Sequence, residues 1–213
     1  LYVAGEDAGG AHGSNRLGGN GVANSTVYGG IAGDVMGVDA TKMNALHDVD
    51  ETVLDEELAR AIAPLSAKPG NIQDLRNRLM NVMWDVGVMR DASGIRRGIE
   101  RIAALKLEME TVGVASNNLA FNLSWHDWLN LQSLIHTSEV IAKAGLSREN
   151  SRGAHFREDF PDAGPMDQSY FTVATDGDSG IEVSREAVKF TIVKPGESLL
   201  GADEAETLVG AAQ

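Results

Sequence analysis

Apolar residues recur at three- and four-residue intervals through the middle of the chain, from residue 71 to residue 146. This spacing places side chains on one face of an α-helix, so the pattern predicts three amphipathic helices. Their expected buried stripes are Ile72, Leu75, Leu79, Val82 and Val86; Ile95, Ile99, Ile102, Leu105, Met109 and Val112; and Trp128, Leu131, Ile135 and Ala142. Short connections between three such helices favour an antiparallel bundle.

Two further helices are predicted ahead of the bundle, over residues 21–37 and 50–62. The first consists of small apolar residues and is expected to end at Gly37. Because glycine weakens a helix, Gly29 and Gly33 predict close packing against another backbone. The second starts with acidic residues and ends with a basic one, the charge order that the helix dipole favours.

Strands are predicted at both ends of the chain. Leu1–Ala4 is an apolar run that ends at a glycine, which is typical of a buried strand. Residues 169–175 and 187–193 alternate and carry β-branched and aromatic side chains, with a turn expected over residues 176–180. The predicted fold class is therefore α+β and mainly α, with a three-helix bundle followed by a small β-hairpin.

Composition divides the chain into three regions. Eleven of the 24 glycines lie in residues 1–37, together with only four charged residues, whereas the rest is more charged. We predict a first domain over residues 1–45, a helical domain over residues 46–164, and a hairpin with an acidic tail over residues 165–213.

Charge and cysteine content exclude several classes of function. The net charge of −13 and the pI near 4.7 argue against unaided binding to nucleic acid or to an anionic membrane. The chain has no Cys, which excludes disulfides, thiolate metal sites and Cys nucleophiles. No run of about 18 apolar residues predicts a transmembrane segment, and no metal site is predicted.

The richest candidate for chemistry is the glycine-rich loop over residues 5–22, which runs directly into a predicted helix capped by Asn20. Free backbone N–H groups and the positive end of the helix dipole suit an anion or an electron-rich ring there. Arg16, the only cation among the first 37 residues, can hold a carboxylate bidentately. Glu6 can accept hydrogen bonds from hydroxyl groups. A plain structural turn explains the same residues equally well.

Three segments resemble, in the right order, motifs of the succinate dehydrogenase/fumarate reductase flavoprotein family, which includes L-aspartate oxidase. They are Gly5-Glu6 with His12-Gly13-Ser14-Asn15-Arg16-Leu17-Gly18-Gly19-Asn20; Met83-Trp84-Asp85-Val86-Gly87-Val88-Met89-Arg90-Asp91; and Ser147-Arg148-Glu149-Asn150-Ser151-Arg152-Gly153-Ala154-His155-Phe156-Arg157-Glu158-Asp159-Phe160-Pro161. The resemblance spans about residues 1–193 and identifies the sequence with the C-terminal portion of that family.

The resemblance implies FAD as the cofactor and assigns roles to five residues. Glu6 would bind ribityl or ribose hydroxyls, and Arg16 would hold a substrate carboxylate. Asn20, Gly21 and Val22 would bind the cofactor at the helix start, where the dipole would stabilise negative charge on the pyrimidine end of reduced flavin.

The resemblance also implies that residues 1–45 are the end of a flavin-binding α/β domain. The strand–GxGxxG–helix unit, a substrate-binding His and a proton-transferring Arg would lie upstream of Leu1. We therefore expect no catalytic residue in this sequence. We also expect the 213 residues alone to be inactive and without FAD.

The implied activity of the full-length protein is hydride transfer between flavin and a small dicarboxylate. Gly21 and Val22 stand where succinate dehydrogenases usually have Ser-Leu, which leaves the dicarboxylate open. The alternative is a non-catalytic helical interaction domain, over about residues 65–193, that docks an iron–sulfur electron-transfer subunit or another partner. The expected location is cytoplasmic, or peripheral at the inner face of a membrane through partner subunits.

Two histidines in these motifs leave a choice of roles. His12 either takes part in chemistry or serves as a hydrogen-bonding spacer in the loop. His155 either approaches the active site across the domain interface or ties the helical domain to the flavin domain through hydrogen bonds, and the structural role is favoured for both.

Overall fold

The structure, a computed structural model, describes residues 1–13, 15–43 and 48–198. Five α-helices lie within them, namely Asn20–Lys42 (α1), Glu51–Ile62 (α2), Ile72–Gly87 (α3), Ala92–Met109 (α4) and Leu123–Ser147 (α5). The strands are Met89–Arg90 (β1), Phe156–Arg157 (β2), Tyr170–Gly177 (β3) and Gly180–Ala187 (β4). The mainly helical α+β class is confirmed. The predicted tail beyond residue 198 and the domain boundary at residues 45–46 lie outside the described residues.

The three-helix bundle is formed by α3, α4 and α5, and its core consists of the predicted stripes. Members that are at most 2% exposed include Leu75, Val82, Ile95, Ile102, Leu131 and Ile135. Ile72, Ile99 and Val112 are partly buried against this core. Each helix is capped at its N-terminus by a side-chain oxygen, that of Asn71, Asp91 or Asn122, which satisfies a free backbone N–H group.

A buried arginine joins two ends of the bundle. The side chain of Arg157 in β2 is 1% exposed. Its Nη1 donates to the carbonyl oxygens of Gly145 at 2.9 Å and Leu146 at 3.1 Å, at the C-terminus of α5. Its Nε and Nη2 each lie 2.7 Å from a carboxylate oxygen of Asp159. Asp159 Oδ2 also accepts from the Ala92 N–H at the start of α4.

The predicted hairpin is confirmed, but the predicted position of its second strand is wrong. The strand paired with β3 is Gly180–Ala187, not residues 187–193, and Gly177 pairs with Gly180 across a two-residue loop. Gly180 adopts φ +100°, which glycine tolerates without strain. Ile181 is buried and Val183 half-buried, and charged residues between and after them obscure this short alternation in the sequence.

Residues 1–4 do not form the predicted buried strand. Leu1, Tyr2 and Val3 are exposed, and no described strand pairs with them. A strand needs a partner that accepts its ladder of hydrogen bonds, and the described residues offer none beside this segment. No helix in the described part of the chain is both long and apolar enough to cross a bilayer.

Helix α1 also differs from its prediction. It runs past Gly37 to Lys42, and its N-cap is Gly19 rather than Asn20. A Cβ atom added to Gly29 or Gly33 would meet nothing within 4 Å, so no described backbone packs closely there. The expected close contact is therefore wrong for the residues described.

Candidate functional site

The glycine-rich loop folds back onto the first turns of α1. Its start, Gly5–Asp7, is a short 3-10 helix in which Gly5 is buried with φ +85°. A Cβ atom on Gly5 would lie 2.8 Å from the Oγ of Ser25, so a larger residue would push the loop away from the helix. Glu6 follows directly and is exposed. The loop thus carries the Glu6 backbone to the N-terminal part of α1.

Helix α1 begins directly after two glycines, Gly18 and Gly19, with free space around them. Gly19 has φ +86°, and its carbonyl oxygen accepts from the N–H groups of Val22 at 3.1 Å and Ala23 at 3.2 Å. A Cβ atom on Gly18 or Gly19 would meet nothing within 4 Å. The backbone at the start of the helix is therefore accessible to a ligand, and Asn20 and Val22 are exposed beside it.

Arg16 and Gly21 lie in direct contact. A Cβ atom on Gly21 would lie 2.9 Å from the Cζ, Nε and Nη2 atoms of Arg16. The missing side chain thus makes room for the guanidinium against the first turn of α1. Arg16 is exposed, and no carboxylate of the described residues forms an ion pair with it. Its charge is therefore available to an anionic ligand.

His12 fastens the loop to α1 through a residue that sequence reasoning missed. Its Nε2 lies 3.0 Å from the Nδ2 of Asn24, which is 9% exposed. The amide donates here, because a neutral imidazole nitrogen can accept. This contact favours the spacer role for His12. No sequence signal distinguishes Asn24 from its polar neighbours Ser25 and Thr26.

His155 lies in a network of arginines where the third motif meets the bundle. Its Nδ1 accepts from Arg90 Nη1 at 3.3 Å, and its Nε2 donates to the carbonyl oxygen of Arg148 at 3.2 Å. Burial lowers the pKa of His155, and the charges of Arg90, Arg148 and Arg157 lower it further. These effects outweigh the hydrogen bond to the Arg148 carbonyl, so the ring is neutral at pH 7. These contacts favour the structural role for His155, in which it links Arg90 to the backbone of Arg148.

The five predicted site residues gather around the first turns of α1, with Glu6 attached through the packing of Gly5 on Ser25. Their chemistry fits one wall of an FAD site, since the open glycines expose backbone donors and a carboxylate can accept from sugar-like hydroxyls. The described residues supply no second wall over the exposed side chain of Val22. The arrangement can bind an anion or the edge of an electron-rich ring.

The fold and this loop define the C-terminal part of a flavoprotein, and comparison with known proteins agrees. Residues 76–199 match the family described as fumarate reductase flavoprotein C-term. The chain is 33% identical over 165 residues to an uncharacterized FAD-dependent oxidoreductase of Methanocaldococcus jannaschii, covering 76% of this chain and 29% of that protein. It is 29% identical to the fumarate reductase flavoprotein subunit of Haemophilus influenzae, covering all of this chain and 36% of that subunit.

A solved structure shares the fold along nearly the whole length. Mycobacterium smegmatis Sdh1 in complex with UQ1 superimposes with a TM-score of 0.80 at 30% identity, covering 98% of this chain and 35% of that one. The chain belongs to the fumarate reductase flavoprotein C-terminal family, which confirms the resemblance. It spans about a third of the length of the relatives it matches.

Proposed function

We propose that this chain is the C-terminal part of an FAD-dependent oxidoreductase in which flavin and a small dicarboxylate exchange a hydride. The observation that carries the proposal is the Arg16 guanidinium lying against Gly21 at the open start of α1. FAD, when bound, supplies the hydride acceptor or donor. Every catalytic proton transfer is assigned to residues outside this sequence.

Arg16 is proposed to orient the substrate. A guanidinium presents parallel N–H donors that match the two oxygens of a carboxylate, which fixes both position and angle. Holding the substrate carbon in a reactive geometry accounts for much of the rate gain in such reactions. Contact with Gly21 restricts the guanidinium to the first turn of α1, where it would meet the dicarboxylate.

Glu6, Asn20, Gly21 and Val22 are proposed to hold the cofactor. The Glu6 carboxylate would accept from ribityl or ribose hydroxyls. The backbone of Gly21 and Val22 and the side chain of Asn20 would face the pyrimidine edge of the flavin ring. The Gly21 N–H would be the backbone donor, because the Val22 N–H already donates to the Gly19 carbonyl oxygen. The positive end of the α1 dipole favours negative charge at that edge, as in reduced flavin.

The proposal is tested in the full-length protein with Arg16→Gln. Loss of a charge-assisted bidentate pair, worth about 1.5–3 kcal/mol, should raise the KM for the dicarboxylate roughly 10- to 150-fold. Flavin content, read from its visible absorbance, should stay at the wild-type level. Arg96→Gln changes an exposed arginine on α4 and is the matched control. Unchanged dicarboxylate kinetics in Arg16→Gln would remove the assigned role.

A helical interaction domain remains the second candidate, and one surface favours it. Met80 and Trp84, one turn apart on α3, are 60% and 82% exposed, and Val88 and Met89 follow them. Large exposed apolar side chains are enriched at protein interfaces. The proposed partner is an iron–sulfur electron-transfer subunit. Trp84→Ser should weaken its capture by the full-length protein without changing the KM for the dicarboxylate, whereas unchanged capture would exclude this surface.

A further inference from the structure

A cavity of about 360 Å³ lies between the glycine-rich loop and the C-terminal part of the chain. Gly10 and Gly13 line it on the loop side, and Arg148, Arg152 and His155 line it on the other. Phe171 of β3 joins the two sides, because a Cβ atom on Gly10 would lie 3.5 Å from its ring. Arg16 does not line this cavity, which is therefore separate from the site proposed for the dicarboxylate.

The charge of the lining is unusual for this chain. The protein carries a net charge of −13, yet two arginines and a histidine line the cavity and no carboxylate does. Four other cavities are each lined by at least one carboxylate side chain, for example Asp176, Asp127 or Asp91. Clefts lined by one sign of charge focus the field and attract ions of the opposite sign.

Neutral oxygen atoms fix the two arginines in place. Arg148 Nη1 donates to the carbonyl oxygen of Tyr170 at 3.2 Å, and its guanidinium lies 4.7 Å from the centre of that ring. Arg152 donates to the Ser169 hydroxyl at 2.8 Å and to the Pro165 carbonyl oxygen at 2.6 Å. These partners set geometry but cancel no charge. Neither arginine forms an ion pair with a carboxylate of the described residues.

Arg90, next to His155, adds to the positive potential near the cavity. Arg90 is partly buried behind His155, and its Nε has no hydrogen-bond partner among the described residues. Its Nη1 donates to His155, which lines the cavity, so the positive charge of Arg90 lies one side chain away from the cavity. Buried charges in proteins are usually paired with an opposite charge, and no carboxylate of the described residues forms an ion pair with Arg90.

We propose that this cavity binds an oxyanion, a carboxylate or phosphate group held between Arg148 and Arg152. Its volume lies in the lower part of the range for small-molecule sites, about 300–1,000 Å³. Ser169 and Thr172 also line it. The Ser169 hydroxyl donates to the Met166 carbonyl oxygen, whereas the Thr172 hydroxyl only accepts, from Arg148, and keeps its proton for such a ligand. Binding there would place the anion between the glycine-rich loop and the bundle, where it would hold the two together.

The first test measures the binding of inorganic phosphate to the 213-residue chain by calorimetry, with chloride of equal ionic strength as the reference. Arg148→Gln should weaken binding by at least about tenfold, because one charge-assisted contact is lost. Arg96→Gln, an exposed arginine outside the cavity, should bind like the wild type. Binding that is absent in the wild type, or equal in Arg148→Gln, overturns the proposal.

Arg148 also holds β3, so Arg148→Lys serves as a second variant that keeps the charge. It should retain more affinity than the glutamine variant, with an unchanged circular dichroism spectrum. A separate readout is the His155 imidazole resonance, assigned with His155→Gln. Phosphate should raise the pKa of His155, and an equal rise in chloride of the same ionic strength contradicts a site for an oxyanion.

The same titration on the full-length protein separates two sources of the oxyanion. Phosphate binding by both proteins indicates a free ligand. If the 213-residue chain binds phosphate and the full-length protein does not, a carboxylate side chain from elsewhere in the full-length protein occupies the cavity. Binding by neither protein refutes the site.

Discussion

Helices α1 and α4 are both rich in apolar residues, but only one of them buries those residues within the described chain. In α4, Ile95, Ile102, Leu105 and Met109 are at most 4% exposed. Along α1, seven large apolar side chains are 43–75% exposed, namely Val22, Val27, Tyr28, Ile31, Val35, Met36 and Val38. Helix α4 belongs to a closed core, and α1 does not.

The difference shows where the stability of this chain resides. Burial stabilises by about 25 cal/mol per Å² of apolar surface removed from water, so a side chain contributes only where a partner covers it. Exposed apolar residues lie on several faces of α1, the pattern of a helix enclosed on all sides. No surface among the described residues encloses it. The bundle should thus unfold cooperatively, and α1 should contribute little to that transition.

The largest effect is expected where the bundle is fastened to the segment that follows it. Arg157→Leu leaves Asp159 without its partner and two α5 carbonyl groups without a donor, those of Gly145 and Leu146. Each buried acceptor left without a donor costs about 1–3 kcal/mol, so the loss of both carbonyl contacts and of the pair with Asp159, which is 30% exposed, should cost about 3–5 kcal/mol. We expect the free energy of unfolding, measured by urea titration with circular dichroism at pH 7, to fall by that amount.

The matched control is Arg101→Leu. Arg101 is half exposed and pairs with Asp85 at 3.2 Å on the surface of the bundle. Exposed pairs contribute about 0–1 kcal/mol, so this variant should unfold near the wild-type urea concentration. If both variants unfold at the same midpoint, Arg157 does not fasten the bundle in the way described.

The bundle was predictable because its three helices cover one another. Their 3.6-residue period is a local signal, and every partner needed to bury it lies in the same part of the chain. An apolar run in Leu1–Ala4, and two glycines in one helix at Gly29 and Gly33, predicted contacts that the described residues do not supply. In β4, charged residues around Ile181 and Val183 obscured a strand that tertiary pairing with β3 selects.

The candidate site was predictable to the extent that its parts adjoin in sequence. Arg16 lies five residues before Gly21, and their contact follows from a loop that turns directly into a helix. Asn24 was missed, since burial of one amide against His12 has no sequence pattern. The cationic cavity joins Gly10 to Arg152 across more than a hundred residues, and no local period encodes such proximity.

Replacing one isoleucine by alanine in α4 and one in α1 tests the comparison of these two helices directly. Ile102 in α4 is fully buried and Ile31 in α1 is 52% exposed. Ile102→Ala should lower the free energy of unfolding by about 2–5 kcal/mol through lost burial and a cavity. Ile31→Ala should change it by no more than about 0.5 kcal/mol. Urea titrations of the two variants decide the matter, and equal losses would show that α1 is already packed in the chain.

The smallest effect concerns acid stability at the same arginine. The Arg157 guanidinium, and then the N–H of Ala92, hold the pKa of Asp159 well below its usual range. In the unfolded chain the pKa of an Asp carboxyl is about 3.9. Because the pKa of Asp159 is lower in the folded protein, its ionised form stabilises the fold above that pH, and this stabilisation is lost as the pH falls below it. Between about pH 5 and pH 2, Asp159→Asn should therefore lose less stability than the wild type. Asp127→Asn, an exposed aspartate on α5, is the control, and an identical acid profile for all three proteins would mean that Asp159 does not link the fold to pH.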